Sequence, residues 1–409
     1  MAIAKILKET MNSKGAGVIR AMFEAGIQMK KEFGEDNVYD FSLGNPDLEA
    51  PKEVALAIKE LANDTNPTRH SYMSNMGYAE TRIAMAEKVS REQGLSGAKA
   101  LTENNVLITV GAAGALNVVF KAILNPNDKV LVSTPFFPEY THYAKNHGGQ
   151  LLPVQSNEDL SISIENFEKA LAENDVAAVL VNSPNNPSGK IYSQENIEAL
   201  VSVLKKHGEK TGRYPYILCD EPYREITYNN KKVPAICPLY DNTIVMSSFA
   251  KNLSLPGERI GYIAINPACE DGDELLAACT FANRTLGFVN APAFFQKVVA
   301  RTWNANVDYS AYAKRRDMIC KVVADAEIDF VEPEGAFYLF CKVPEPKLPE
   351  NSQKVGDDFA FTDLLKENRI LCSPGTAFGS SGWFRISYCV AEKTILNSAE
   401  SFKTARAKW

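Results

Sequence analysis

Ser248-Phe249-Ala250-Lys251-Asn252-Leu253-Ser254-Leu255-Pro256-Gly257-Glu258-Arg259-Ile260-Gly261 follows closely on the run Thr243-Ile244-Val245-Met246, which has the composition of a buried strand. The stretch sets one lysine in a small, weakly polar setting at the strand's end. An arginine stands eight positions on, held by a Pro-Gly turn. Burial lowers a lysine pKa and a nearby fixed cation lowers it further, which leaves a neutral amine able to attack a carbonyl carbon. An amine and a guanidinium so arranged suit an aldehyde that also carries a phosphate. Read alone, the two would be a surface lysine and a structural arginine after a core strand; the rest of the chain decides against that.

Working outward, the same arrangement recurs. Val106–Thr109, Lys129–Val132, Val176–Val181 and Tyr216–Leu218 are brief apolar runs, each followed by loop residues that carry polar chemistry. Unalternating apolar strands separated by helical segments such as Leu116–Leu124 predict a largely parallel sheet buried on both faces. Ligands of such sheets gather beyond the carboxyl ends of the strands, where every polar motif described below falls.

The flanks read differently. Residues 14–34 carry Val18, Ile19, Met22, Phe23, Ile27 and Met29 at roughly helical spacing and end in Lys30, Lys31 and Gly34. A strand over Val38–Leu43 and the turn Gly44-Asn45-Pro46-Asp47 follow. After about residue 290 a long helix is predicted through Ala293–Ala326, dense in Arg301, Lys314, Arg315 and Arg316. Beyond it lie the strands Ala336–Phe340 and Phe384–Ser387, with an exposed, Pro- and charge-rich excursion over Val343–Asp358.

At 409 residues the chain is too long for one simple core and predicts two domains. With 45% hydrophobic and 23% charged residues it reads as an ordinary soluble protein, and a net charge of -6 without basic runs argues against a nucleic-acid partner. Eight cysteines form no C-x-x-C pair and four histidines lack ligand-like companions, so neither a metal site nor a disulfide framework is expected. No apolar run approaches the ~18 residues of a membrane span, and Met1–Ser13 holds no signal-like apolar region. The expected compartment is the cytoplasm.

Position for position, residues 248–261 resemble the lysine-attachment signature of class I pyridoxal-phosphate aminotransferases of fold type I, and motifs in that family's order extend from Gly44 to Arg385. The resemblance implies pyridoxal 5'-phosphate as cofactor, Lys251 as the Schiff-base lysine, and Arg259 and Ser248 as cofactor ligands. Asp220, leaving a buried strand in Asp220-Glu221-Pro222-Tyr223, would pair with the pyridine nitrogen, because a protonated ring is the better electron sink. Tyr223 would donate to the ring's phenolate oxygen. Without the other motifs, Asp220 would read as a helix cap.

Ser183-Pro184-Asn185-Asn186-Pro187-Ser188-Gly189 is similar to the family's Asn-Pro-Thr-Gly loop with Ser188 in the threonine place, and Asn186 would meet the phenolate oxygen and help position substrate. Gly111, Ala112 and Ala113 open a helix whose backbone N–H groups suit a phosphate, without the G-x-G-x-x-G of a dinucleotide fold. Phe137 aligns with the aromatic that stacks on the ring. Arg385, alternating with apolar neighbours on a late strand, has the planar fork for an α-carboxylate, the role the resemblance implies for it, and Gly44 would be a further substrate contact. Tyr72 is similar to the tyrosine that reaches the phosphate of a neighbouring subunit, which implies a homodimer with shared sites; here Thr81-Arg82 stands where relatives show Leu-Arg.

The implied fold is α/β, with a large, mostly parallel sheet flanked by helices and a smaller α+β domain built from both chain ends. The expected division is 1–45 for an N-terminal arm and part of the small domain, 46–292 for the large cofactor-binding domain, and 293–409 for the linking helix and the rest of the small domain. The implied reaction is a ping-pong transfer of an amino group from an amino acid to a 2-oxo acid. A lyase or decarboxylase on the same scaffold is the alternative among enzymes. A cofactor-sensing regulator is the alternative of another class, but it would need a DNA-binding module for which there is no room before Val38. Some relatives meet a distal substrate carboxylate with a lysine where this chain has Ala113, others with a partner's arginine, for which Arg284 is the closest candidate. Neutral or aromatic amino acids are therefore the expected donors.

Overall fold

The computed structural model describes residues 3–11 and 17–409. The predicted helix of residues 14–34 runs over Val18–Phe33, and its first positions, 14–16, lie outside the described residues.

Seven strands form the main sheet: β2 (Val106–Thr109), β3 (Lys129–Ser133), β4 (Gln150–Val154), β5 (Val176–Asn182), β6 (Tyr216–Asp220), β7 (Thr243–Ser248) and β8 (Gly261–Ile265), in the order β2-β8-β7-β6-β5-β3-β4. All run parallel except β8, which is antiparallel to both neighbours. Successive residues feed opposite cores, as the two-residue period requires. Leu107, Val130, Leu180, Leu218, Ile244 and Ile263 pack under one face, and Ile108, Leu131, Val179, Ile217, Val245 and Tyr262 under the other. Because the other six strands point one way, the residues that end β3, β5, β6 and β7 meet along a single edge.

A second core lies in the C-terminal part, around β9 (Phe330–Val331), β10 (Tyr338–Lys342), β12 (Ser373–Pro374) and β13 (Trp383–Ser387), an antiparallel sheet ordered β12-β13-β10-β9. Near the chain's start, β1 (Tyr39–Asp40) pairs in parallel with β11 (Ile370–Leu371), and Phe41 is buried in the C-terminal core. The strand expected over Val38–Leu43 is thus only two residues long, and Ser42 turns aside to bond its own neighbour, both its N–H and its hydroxyl donating to Asp40 Oδ1.

Two other expectations are corrected. The helix predicted through Ala293–Ala326 is two, Ala293–Thr302 and Tyr309–Asp325, because Asp308 caps the second by accepting from Ser310 N at 3.0 Å. The strand expected from Ala336 begins at Tyr338, since Ala336 has φ +58°. The excursion over Val343–Asp358 is mostly exposed, as expected, and is tied down at two points: Trp409 Nε1 donates to Pro344 O at 2.7 Å, and buried Asn351 donates to Trp409 O at 3.1 Å. Strands β4 and β8 carry no expectation from the sequence.

Among the described residues, no helix is long and apolar enough to cross a membrane.

Candidate active site

A cavity of about 270 Å³ opens at the carboxyl edge of the main sheet, against the second core. Its lining includes Gly44, Ala112, Ala113, Phe137, Asn186, Asp220, Tyr223, Ser248, Lys251, Arg259 and Arg385. One concave site thus gathers side chains separated by more than three hundred residues of sequence.

Lys251 lies in the turn after β7. Its Nζ donates to the Gly44 carbonyl at 2.7 Å and stands 5.2 Å from the Phe337 ring centre and 5.7 Å from that of Tyr223. Enclosure by these walls pushes its pKa down to about 8, with Arg385 and Arg259 contributing in the same direction. The amine is held and in part neutral near pH 7, as a carbonyl nucleophile must be.

Asp220 ends β6. Tyr140 donates to its Oδ2 at 2.5 Å, and the amide of Asn182 donates to its backbone carbonyl at 2.8 Å. The other carboxylate oxygen, Oδ1, is buried without a hydrogen-bond partner among the described residues. Burial raises the Asp220 pKa to about 6, against the pull of the Tyr140 hydroxyl. An orphaned buried carboxylate oxygen facing a cavity is a place for a cationic N–H.

Arg385 sits on β13, 2% exposed. One terminal nitrogen donates to Asn186 Oδ1 at 3.1 Å and the other to Ser42 O at 2.6 Å, while Nε is unpartnered among the described residues. The rings of Tyr338 and Phe378 lie 4.8 and 4.7 Å from the guanidinium carbon. Asn186 is itself fixed, its N–H donating to Asn182 Oδ1 at 2.7 Å.

At the far end, the helix Gly111–Ile123 presents its N-terminus beside Arg259. Gly111 has φ +71°, a backbone conformation that favours glycine, and it lies beside the Arg259 guanidinium, whose Nη2 would be 2.8 Å from a Cβ built there. Arg259 is exposed and donates to Pro256 O at 2.8 Å. A helix N-terminus with a guanidinium beside it is an anion site.

Gly111 is therefore at the site through Arg259 and does not line the cavity. Tyr72 stands apart, 91% exposed. Arg284 is also exposed, its guanidinium 5.2 Å from the Phe281 ring. Sequence reasoning missed Tyr140, Tyr143, Asn182 and Tyr338, which also line the cavity. Of these only Asn182 left a trace, a polar residue closing an apolar strand opposite Asp220.

The family model described as aminotransferase class I and II matches residues 36–402. The solved structure of an amino transferase from Eubacterium rectale superposes with a TM-score of 0.91, at 36% identity over 100% of this chain and 99% of that one. Among curated proteins, a probable aspartate/prephenate aminotransferase of Aquifex aeolicus is 26% identical over 90% of this chain and 91% of its own length. The aspartate aminotransferase of Bacillus subtilis is 29% identical over 91% and 92%. The family model spans most of the chain, and the chain belongs to the class I and II aminotransferases, enzymes that move an amino group between small molecules.

Proposed function

We propose that the cavity binds pyridoxal 5'-phosphate and uses it to move an amino group from an amino acid to a 2-oxo acid in two half-reactions. The observation that carries this reading is the orphaned Oδ1 of Asp220 in the same cavity as the Lys251 amine. When bound, the cofactor supplies an electron sink that makes the hydrogen on the substrate's α-carbon acidic. Asp220 holds the ring nitrogen's proton, and that partner offsets the burial which now raises the carboxyl's pKa. The helix start at Gly111, Ala112 and Ala113, with Ser248 and Arg259, holds the phosphate; Phe137 covers a ring face; Tyr223 and Asn186 meet the phenolic oxygen. Lys251 would hold the cofactor through its aldehyde carbon, and its Nζ, when free, would take the proton from the substrate's α-carbon and deliver it on the cofactor side. Arg385 grips the substrate carboxylate, with Asn186 and Gly44 alongside.

Incubating the protein with pyridoxal phosphate and one amino acid, without an oxo acid, tests this. The expected result is one equivalent of 2-oxo acid per site and an aminated cofactor, both lost in Lys251→Ala although the cofactor still binds. Carbon dioxide or an eliminated fragment in place of the 2-oxo acid would refute amino transfer.

We assign residues 1–45 and 293–409 to a small domain with its N-terminal arm and linking helix, and 46–292 to the cofactor-binding domain; the pairing of β1 with β11 supports this. We assign the protein to a homodimer in which Tyr72 completes the partner's phosphate site. Its exposure supports that, as does the stripe of Ile3, Leu7 and Met11, each more than half exposed. Cytoplasmic residence follows from the cysteine usage read in the sequence.

A further inference from the structure

One side chain without a role so far joins the parts of this site. Tyr338, 2% exposed on β10, meets Tyr223 hydroxyl to hydroxyl at 2.7 Å. Its ring lies against the Arg385 guanidinium at 4.8 Å. Its hydroxyl also fills the space at Gly44, where a Cβ would collide with it, and the Gly44 carbonyl accepts the Lys251 amine. The register explains the placement: Arg385 stands opposite Phe340 on β10, two residues from Tyr338, so Tyr338 and Arg385 share a face of the sheet.

We propose that Tyr338 is a positioning residue, donating its hydroxyl hydrogen to Tyr223 so that the Tyr223 hydrogen is turned toward the cofactor's phenolic oxygen, an inference that rests on the cofactor reading above. A phenol has one hydrogen to give. In the cavity as it stands, either hydroxyl can be the donor. Once Tyr223 donates to the phenolic oxygen, its bond to Tyr338 survives only with Tyr338 as donor, and two O–H groups aligned in one direction strengthen each other. The ring has a separate task. With Phe378 it holds the buried Arg385 fork, whose Nε has no hydrogen bond among the described residues.

Among the described residues, the charged and titratable groups facing this pair are Lys251, Asp220, Tyr140 and Arg385 around Tyr223, and Arg385 and Cys389 around Tyr338. All of them persist in a variant that removes only the hydroxyl.

Two variants separate hydroxyl from ring. In Tyr338→Phe the pH midpoint of the bound cofactor's visible band should rise by about half a unit to one unit, because Tyr223 becomes a weaker donor to the phenolate. The affinity of the cofactor-free protein for pyridoxal phosphate should fall about threefold to tenfold by the same loss. KM for the amino acid should stay within about twofold, since the ring remains under Arg385. Tyr338→Leu should show both changes and raise KM about fivefold or more as well. An unmoved midpoint and unchanged affinity in Tyr338→Phe would overturn the inference while leaving the cofactor reading intact. A wild-type protein that develops no visible band with pyridoxal phosphate would overturn both.

Discussion

Tyr140 and Asp220, eighty residues apart in sequence, are joined by a 2.5 Å hydrogen bond to one carboxylate oxygen, while the other oxygen of Asp220 has no partner among the described residues. One lobe of the carboxylate is thus fixed by the phenol, and the proposed reading gives the other to the cofactor's ring nitrogen. A hydrogen bond to a charged acceptor contributes about 1.5–3 kcal/mol, all of it to the ionised form. Tyr140→Phe keeps the buried ring and removes that bond, so the Asp220 pKa should climb above its present value of about 6. Affinity for pyridoxal phosphate at neutral pH, measured by equilibrium dialysis, should drop about tenfold or more. An affinity equal to wild type would mean that the phenol does not sustain the carboxylate.

The Lys251 amine sets a pH dependence of its own. With a pKa pushed down to about 8 by burial, it is mostly protonated at pH 7 and mostly neutral by pH 9. Only the neutral amine attacks a carbonyl. The rate at which cofactor-free protein captures pyridoxal phosphate should therefore rise about tenfold per pH unit below this pKa and level off above it. Stopped-flow absorbance across pH 6 to 10 checks this, and a rise continuing unabated to pH 10 would place the amine at an ordinary lysine pKa.

How much of this could be read in the sequence depends on how local each feature is. Lys251, Asp220 and Asn186 are legible because each lies at or shortly after the end of an apolar run, and the parallel order of β5, β6 and β7 then brings three such ends to one edge. Tyr140 and Tyr338 are not. Tyr140 reaches Asp220 from a helix whose packing no nearby residue encodes. Tyr338 sits within a run of aromatic and aliphatic residues that reads as plain strand, and its tie to Arg385 comes from the β10–β13 register. The split of the helix after Thr302 is locally encoded, by Asp308 followed two residues on by a bonded Ser310, but is masked by apolar residues that continue at near-helical spacing.

The dimer proposal makes a prediction that subunit mixing can decide. If Tyr72 serves the partner's site, a heterodimer of one Lys251→Ala chain and one Tyr72→Phe chain has one site with both lesions and one with neither. Activity should then rise above that of either parental homodimer, toward half of wild type per dimer. If Tyr72 acts within its own chain, every site keeps one lesion and mixing restores nothing.

Substrate choice turns on charge at the cavity wall. The cations lining the cavity, among the described residues, are Lys251, Arg259 and Arg385, and the proposed reading commits each to cofactor or α-carboxylate. Ala113, also on the wall, offers a methyl group. Arg284 is not on this chain's wall and could act only in a partner's cavity. A carboxylate buried without a partner costs several kcal/mol, so a side-chain acid should be disfavoured unless that arginine arrives from outside. We expect kcat/KM for phenylalanine and alanine to exceed that for aspartate. Ala113→Lys should shift the ratio toward aspartate by about tenfold or more, by supplying the missing charge. If wild type instead prefers aspartate by a hundredfold, about 2.7 kcal/mol, the cavity is not short of a cation. Loss of that preference in Arg284→Ala, with the alanine rate unchanged, would then trace the cation to the neighbouring subunit.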